Sequence, residues 1–313
     1  MPAESSASRV RVAAVDEQHA AIALALRSLP AENRGQLLDA VGRPQSHPLG
    51  PLDGLVVLER RGRLAAAAWA QPSPGKIAAL WPPEWRTRRP EGATADEVRM
   101  LRVVTDACDA AGVGLIQALL EDEADPRCAS LAAAGFRRIA TLEYLGRSLP
   151  SGSESLRSDG AELRFESLSE AGYERLKRVV QQTYEESLDC PGLGEARRLD
   201  DVLTGYRATG SYDPENWLVA ADAQGDVGVL ILAEHPASDQ AELVYMGLSR
   251  RGRGRGLGKA LVAEAVRRAA AIGAEHLMVA VDRANTPAKR VYEAAGFVAW
   301  TQRLVLVRSA ERR

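Results

Sequence analysis

RRGRGRGLGK, residues 250–259, places four arginines, one lysine and four glycines between a predicted strand and a predicted helix. Glycine lets the backbone turn tightly and approach a ligand closely, because it has no Cβ. The helix that follows would direct free N–H groups and the positive end of its dipole at the same point. A strand, a glycine loop and a helix N-terminus in this order predict an anion site, with a pyrophosphate as its natural occupant.

Two common nucleotide motifs do not fit this loop. The GxGxxG pattern of a dinucleotide fold is out of register, and a P-loop requires serine or threonine where Ala260 follows Lys259. A solvated charged face and an RNA-binding Arg/Gly segment are the alternatives. The run lies between two regular elements and not in a low-complexity tail, so the sequence favours the phosphate cradle.

The composition is that of a globular protein with no strong global charge. The chain has 313 residues, a charged fraction of 26% and a net charge of −2, so no global field draws it to nucleic acid or to an anionic membrane. The N-terminus has no apolar signal region, and no apolar run reaches the roughly 18 residues of a membrane span. Three cysteines without CxxC spacing and four scattered histidines predict buried thiols and no metal site. We therefore expect a cytoplasmic location.

An internal repeat divides the chain into two halves. AAGF occurs at 133–136 and again at 294–297, an offset of 161 residues. Two strands joined at a glycine turn are predicted at 55–70 and again at 217–232, and opening strands are predicted near residues 9 and 162. The Ser/Gly-rich stretch 150–160 separates the copies. These patterns predict a mixed α/β domain over 1–150, a linker over 151–160 and a second mixed α/β domain over 161–313.

Three motifs of the second copy resemble those of the GNAT acetyltransferases. RGRGLG (253–258) is similar to the family's Arg-x-x-Gly-x-Gly pyrophosphate loop, and NTPAKRVYEAAGF (285–297) is similar to its Asn-x-x-Ala-x-x-x-Tyr-x-x-x-Gly-Phe signature. YMGLS (245–249) resembles the splayed strand beside the pantetheine arm. The resemblance covers 161 to about 308 with motifs, and 8 to about 149 by outline only. It implies two tandem GNAT domains with a mixed sheet, and acetyl-CoA as the co-substrate.

The resemblance also implies roles for individual residues. Loop N–H groups would hold the pyrophosphate, a strand edge the pantetheine amides, and cationic side chains the neighbouring phosphates. The cofactor residues implied in this way are Met246, Gly247, Leu248, Arg253, Gly254, Arg255, Gly256, Leu257, Gly258, Lys259 and Asn285. Tyr292 would be the general acid that protonates the departing thiolate. A strand N–H near Leu248 would meet the developing oxyanion.

The reaction that the resemblance implies is direct attack of an amine on the acetyl carbonyl, so a base is also needed. Glu242, in the strand AELVYMGL, matches the glutamate that serves as base in histone-type members of the family. Glu234 and His235 on the neighbouring predicted strand are competitors. A solvated strand-end glutamate is the alternative interpretation of Glu242.

The first copy departs from the family where chemistry would lie. Shifting the motifs back by 161 residues places Ala124 at the asparagine and Leu131 at the tyrosine. The glycine loop maps to GATADE (92–97), and no Arg-x-x-Gly-x-Gly lies nearby. We therefore predict that the first domain is degenerate and non-catalytic.

The acceptor amine is left open by the sequence. The segment 181–201 lies where specificity is determined in such folds, and Glu185, Glu186 and Asp189 could attract a cationic amine or form a solvated helix end. The tandem architecture is also similar to that of mycothiol synthases, which implies a small cysteinyl amine as an alternative acceptor. A non-catalytic acetyl-CoA sensor is a further alternative. We expect acetyl-CoA and an amine as partners, no nucleic acid or membrane, and a monomer or homodimer.

Overall fold

The computed structural model describes residues 8–31, 34–35, 37–38, 48–149, 163–193 and 197–310. The chain packs into two compact units. One comprises Met1–Ile139 with Leu304–Arg313, and the other comprises Ala140–Arg303. The predicted linker at 151–160 lies outside the described residues, and the predicted division into 1–150 and 161–313 stays a prediction. Each compact unit includes a strand that lies, in the sequence, on the other side of the predicted division.

The first unit contains a meander of three strands flanked by further strands and helices. Its strands are β1 (Arg9–Val12), β2 (Leu55–Arg60), β3 (Arg63–Ser73), β4 (Ile77–Trp85) and β5 (Leu115–Leu120). Its helices include α1 (Gln18–Ala25), α2 (Thr94–Ala110) and α3 (Arg127–Ala133). β6 (Arg137–Ser148) begins in this unit and pairs in the other.

The second unit repeats this pattern. Its further strands are β7 (Arg164–Ser167), β8 (Trp217–Asp222), β9 (Gly225–His235), β10 (Gln240–Leu248), β11 (His276–Asp282) and β12 (Val298–Ser309), the last of which pairs in the first unit. Its helices include α4 (Leu168–Ala171), α5 (Tyr173–Tyr184), α6 (Leu199–Arg207), α7 (Leu257–Ala271) and α8 (Thr286–Ala294). The two strands predicted at 217–232 and the strand and helix predicted on either side of the glycine loop are thereby confirmed, as are the opening strands near 9 and 162.

The strands of the two units have the same order of directions. In the first unit the order is β1-β2-β3-β4-β5-β12, and in the second it is β7-β8-β9-β10-β11-β6. All neighbours are antiparallel except β4 with β5 and β10 with β11, and a helix crosses over between the strands of each parallel pair. The sixth strand position of the first unit is filled by residues 304–309 of β12, which pair with β5. That of the second unit is filled by residues 142–148 of β6, which pair with β11. This architecture confirms the mixed α/β fold.

Helices cover the faces of the sheet in the second unit. An apolar stripe on α7 is buried. Val262, Ala265, Val266 and Ala269 share a core cluster with residues of β10 and β11, and Leu261 packs with Ala220 of β8 and Val227 of β9. α5 and α6 pack on the other face, against β8 and β9. The parallel strands β10 and β11 pair only from Gln240 to Leu243 opposite His276 to Val279. Beyond that point, β10 continues to Leu248 without a β11 partner, which leaves a gap between the two strands.

Other features bear on the sequence expectations. No helix in the described ranges is long and apolar enough to cross a membrane. All three cysteines are free thiols; Cys108 and Cys190 are buried as predicted, whereas Cys128 is partly exposed.

Candidate active site

The glycine loop forms the connection between β10 and α7 and reaches into open space. Gly254 and Gly256 have φ of +73° and +77°, and Gly256 caps the N-terminus of α7. A Cβ built on either glycine would meet no atom within 4 Å. Left-handed backbone favours glycine, and the open space above both residues is what a bound group needs. The loop therefore has the form of a cradle.

Several backbone N–H groups of this loop have no hydrogen-bond acceptor among the described residues. Its own hydrogen bonds run from the N–H groups of Gly252 and Arg253 to Ser249, and from Lys259 to Gly256. Within the part of the chain that the structure describes, the N–H groups of residues 254–258 have no such acceptor. The first turn of α7 carries no acidic residue, so nothing there opposes an anion. The predicted pyrophosphate-binding residues thus come together with free donors.

Arg253 serves the protein backbone. Its Nε donates to the carbonyl of Leu248 (3.0 Å), and Nη2 donates to that of Thr183 at the end of α5 (2.8 Å). Nη1 donates to the carbonyls of Glu185 (2.8 Å) and Glu186 (3.1 Å). Its charge stays near the loop, but four of its five N–H donors bind backbone carbonyls and hold the loop to the end of α5 and the segment after it.

Arg255 faces a carboxylate that the sequence did not single out. Its Nη1 lies 2.8 Å from Asp222 Oδ2, and Arg251 Nη1 lies 2.9 Å from Asp222 Oδ1. Hydrogen bonds from these two guanidinium groups hold the pKa of Asp222 well below its usual range. Lys259, in the first turn of α7, has no side-chain partner among the described residues. Of the three predicted cations, Lys259 is therefore the one whose side chain has no competing protein partner among the described residues.

The gap between β10 and β11 exposes a strand edge. Ser249 donates its N–H to Val227 (2.8 Å), and the carbonyl of Gly247 lies against Gly228, so these groups face β9. Successive backbone groups point to opposite sides of a strand, so those of Met246 and Leu248 face the gap. A Cβ at Gly247 would lie 2.7 Å from Thr183 Cβ, so glycine is needed there for α5 to pack closely. Of the three predicted pantetheine-binding residues, Met246 and Leu248 thus present backbone groups to the gap, and Gly247 allows α5 to pack closely against the strand between them.

Tyr292 and Asn285 lie on α8, which follows β11. Tyr292 is 4% exposed, and its ring packs against that of Phe297 with centroids 5.6 Å apart. Burial, with a further contribution from the charge of Asp189, raises the pKa of Tyr292 above its usual value, so the phenol keeps its proton at neutral pH. Asn285 caps α8 by accepting the N–H of Ala288 (3.3 Å). The cap does not use the amide NH₂ group of Asn285.

Glu242 lies two residues before Val244, where the β10–β9 register shifts. Leu243 on one side of it packs into the core under α7 and α8, so Glu242 points to the opposite face of the sheet. Its Oε2 lies 3.0 Å from His235 Nε2, and both side chains are between a third and two fifths exposed. Glu234, the other competitor, instead accepts a hydrogen bond from Asn216 (3.2 Å). The two predicted bases Glu242 and His235 therefore form one pair.

We expect His235 to titrate above its ordinary pKa, because the hydrogen bond and charge of Glu242 favour the protonated ring. Because its pKa is higher in the folded state than in the unfolded state, protonated His235 stabilises the fold at pH below the unfolded-state pKa. This contribution is lost as pH rises through the folded-state pKa. An NMR titration of the ring should therefore show a lower pKa in E242Q than in the wild type. E234Q is the matched control and should leave the titration unchanged. Identical titrations in E242Q and the wild type would contradict the pairing.

A tyrosine cluster anchors the segment predicted to contact the acceptor. The Tyr245 ring on β10 packs against Tyr184 (5.3 Å between centroids) and Tyr206 (5.5 Å). The Tyr184 and Tyr206 hydroxyls are 2.9 Å apart, and that of Tyr245 bonds Thr183 Oγ1 (2.8 Å). Burial raises the pKa of all three phenols. The start of the segment, at Thr183 and Tyr184, is therefore fixed to β10.

Comparisons with known proteins place this site in a family. Residues 180–297 match the model of the "Acetyltransferase (GNAT) family". A mycothiol acetyltransferase from Nocardioides sp. is 27% identical over 193 residues, covering 55% of this chain and 62% of the relative. Another from Beutenbergia cavernae is 30% identical over 184 residues, covering 55% and 60%. The matches thus span less than two thirds of these relatives.

A solved structure shares the fold. The GCN5-related N-acetyltransferase from Sphaerobacter thermophilus superposes with a TM-score of 0.60 at 17% identity, covering 96% of this chain and 95% of that one. The family match at 180–297 includes the glycine loop, the gap, Asn285 and Tyr292. The cradle and the opened strand pair thus lie within the region, residues 180–297, that matches the GNAT acetyltransferase family.

Proposed function

We propose that this protein is an acetyl-CoA-dependent N-acetyltransferase whose second unit transfers the acetyl group to a primary amine. The observation that carries the proposal is the gap between β10 and β11, which opens directly onto the glycine loop. A single ligand with an extended arm and an anionic group could place the arm in the gap and the anion on the loop. Acetyl-CoA has them. A cytoplasmic location, expected from the sequence, belongs to the same proposal.

Each chemical requirement of the transfer has a candidate residue in the second unit. The N–H groups of 254–258 and Lys259 would hold the pyrophosphate, and the edge at Met246 and Leu248 the amides of the arm. Bound acetyl-CoA would supply an activated acetyl group as a thioester. The N–H of Leu248 would stabilise negative charge on the acetyl oxygen. Tyr292, which keeps its proton at neutral pH, would give it to the leaving sulfur.

Glu242 would accept a proton from the incoming ammonium group. It lies on the face of the sheet opposite the core under α7 and α8, where the amine could approach without crossing that core. His235 would share this proton, since the two side chains form a hydrogen-bonded pair. Partial exposure of both groups would let the proton pass to solvent.

The first unit is proposed to be silent. The helix that corresponds to α7 is α2, and its first turn carries Asp96 and Glu97, which oppose a phosphate. Glu97 is fully buried, and its carboxylate accepts hydrogen bonds from Arg89, Trp85 and Ser130. Leu131 occupies the position that corresponds to Tyr292 in the second unit. It is buried, and its side chain has no proton to donate. These features support one cofactor site per chain.

A second candidate function is acetylation of a small cysteinyl amine. The observation that favours it is that the curated relatives reported above are mycothiol acetyltransferases. The match covers only part of their length, so the acceptor is a matter for experiment. A non-catalytic acetyl-CoA sensor would share the cradle but would not turn over any amine.

Calorimetric titration of acetyl-CoA into the purified chain tests the proposal, and we expect one site per chain. Loss of the thioester absorbance should then identify the acceptor among a peptide N-terminus, a lysine side chain, an aminoglycoside, a polyamine and a small cysteinyl amine. Turnover with the cysteinyl amine alone would favour the second candidate. Two sites would contradict the silent first unit, and binding without turnover would favour the sensor. Absence of binding would overturn the proposal.

A further inference from the structure

Two large apolar side chains lie exposed where β12 begins. Trp300 is 61% exposed and Val298 is 69% exposed, whereas most large apolar residues of the second unit are buried. The Trp300 ring contacts that of Tyr144 in β6, with centroids 6.1 Å apart and ring planes tilted by 60°. Aromatic side chains with an open surface are suited to hold a flat apolar group of a ligand. Trp300 therefore marks a candidate binding surface.

Gly146, in β6, lies between the side chains of Trp300 and of Met278 in β11. A Cβ built on Gly146 would be 3.8 Å from Met278 Sδ and 3.8 Å from Trp300 Cδ1. The Cβ direction of a strand residue defines the sheet face that its side chain occupies, so Met278 and Trp300 are on one face. With glycine between them, this face is a shallow apolar surface. We refer to Met278, Gly146 and Trp300 as the apolar floor.

The apolar floor continues directly to Glu242. Glu242 pairs with Met278 in the β10–β11 register, and Met278 pairs with Gly146 in the β11–β6 register. Paired residues of neighbouring strands present their side chains on the same face of the sheet. The adjacent residues Leu145 and Leu243 lie together in the core on the other face. Strands about 5 Å apart place the Cα atoms of Glu242 and Gly146 about 10 Å from each other.

A groove of about 650 Å³ extends from the apolar floor past the end of β6. Besides Met278 and Gly146, its lining includes Ser148, His276 and Val298. Small-molecule sites typically have volumes of about 300–1,000 Å³. Within the described ranges no acidic residue lines this groove. The groove thus offers room for the body of a small molecule and no carboxylate for a second cation.

The distribution of charge indicates which kind of amine this surface suits. The carboxylate of Glu242, paired with His235, lies at one end, and apolar side chains follow from there to Trp300. A polyamine or an aminoglycoside carries several ammonium groups, and each would need a carboxylate or water as its partner. A molecule with one ammonium group and one apolar ring, joined by a short linker, matches the surface at both ends.

We propose that Trp300 is a specificity-determining residue and that the acceptor is a monoamine whose aromatic ring lies on the apolar floor. This inference rests on the proposed acetyl transfer. The ring would contact the Trp300 indole and the Met278 sulfur, both of which interact favourably with aromatic groups. The ammonium group would reach Glu242. Trp300 takes no part in proton transfer, so removing its side chain weakens binding of the acceptor and leaves the chemistry intact.

Steady-state kinetics with two amines tests this assignment. Phenethylamine carries the aromatic ring, and butylamine is a monoamine without one. W300A should lower kcat/KM for phenethylamine by about tenfold, through KM, and should change that for butylamine by less than about twofold. W300F keeps an aromatic ring and should retain most of the activity. V15A removes an exposed apolar side chain of the first unit and should change neither value.

A binding measurement tests the apolar floor without turnover. The indole N–H signal of Trp300 in an NMR spectrum is identified by its loss in W300F. Phenethylamine should shift this signal through the ring current of the bound phenyl group, whereas butylamine should leave it in place. E242Q should weaken the binding of phenethylamine by about tenfold, because the ammonium group loses its charged partner.

The outcomes separate the inference from the function on which it rests. If acetyl-CoA fails to bind the wild type, the proposed function is wrong. If it binds, and phenethylamine either leaves the Trp300 signal in place or is not acetylated, the aromatic acceptor is overturned. An equal loss of kcat/KM for both amines in W300A also overturns it, since contact with Trp300 concerns the ring alone. A dimer in the wild type and a monomer in W300A, with unchanged kinetics, would instead assign the surface to a second copy of the chain.

Discussion

Replacing Gly256 with glutamate is expected to weaken acetyl-CoA binding by at least about 100-fold while the protein remains folded. Gly256 has φ of +77° and no atom within 4 Å of a built Cβ. A glutamate there would project into the proposed pyrophosphate cradle and add a negative charge at the N-terminus of α7. Loss of about 3 kcal/mol of binding free energy corresponds to that factor. Calorimetric titration of acetyl-CoA into G256E and the wild type measures it.

G273E provides the control for this experiment. Gly273 follows the other end of α7, with φ of +81° and open space around a built Cβ. Both variants place glutamate in a left-handed conformation and should lose about 1–2 kcal/mol of unfolding free energy. G273E should bind acetyl-CoA like the wild type, because it lies away from the cradle. Equal affinities for G256E and G273E would show that the loop is not the phosphate site.

The elements that carry the site could be predicted because their signals are local. The stripe from Leu261 to Ala269 has helical spacing, Pro287 and Gly296 bracket α8, and glycines punctuate the loop before α7. Each signal concerns residues that lie within a few positions of one another. Periodicity and turn chemistry therefore suffice to place β10, α7, β11 and α8 in order.

Strand exchange could not be predicted in the same way. Residues 142–148 pair with β11 and residues 304–309 pair with β5, although each segment closes its own half of the sequence. Pairing partners of a strand depend on contacts distant in sequence. The alternation of apolar residues defines which face of a strand is buried, and it does not define its neighbour.

Side-chain partners were the least predictable part of the site. Arg253 was expected to lie near phosphates, but its guanidinium group donates hydrogen bonds to carbonyl groups at the end of α5 and just after it. Arg255 meets Asp222 because β8 ends beside the loop, and nothing in the sequence around Asp222 signals this. His235 and Glu242 pair because the β9–β10 hairpin places them near each other. Each contact follows from tertiary packing, which the order of elements does not specify.

Removing the Tyr292 hydroxyl is expected to lower kcat by about 10²–10⁴-fold, the usual contribution of a positioned acid. In Y292F, phenylalanine keeps the packing against Phe297 and leaves no hydrogen-bond partner unsatisfied among the described residues. The melting temperature and the affinity for acetyl-CoA should therefore match those of the wild type. Y212F, at a partly exposed tyrosine that packs against Trp217, is the control and should retain full activity.

The pH profile separates an acid from a packing residue. Burial and the charge of Asp189 raise the pKa of Tyr292, so the acid form persists as pH rises and is lost only through that raised value. In the wild type, ionisation of Tyr292 should therefore cause no decline in kcat near the ordinary tyrosine pKa of about 10. Steady-state rates measured across this range test the point. Full activity in Y292F would remove Tyr292 from the mechanism, because the hydroxyl is the only group that the substitution deletes.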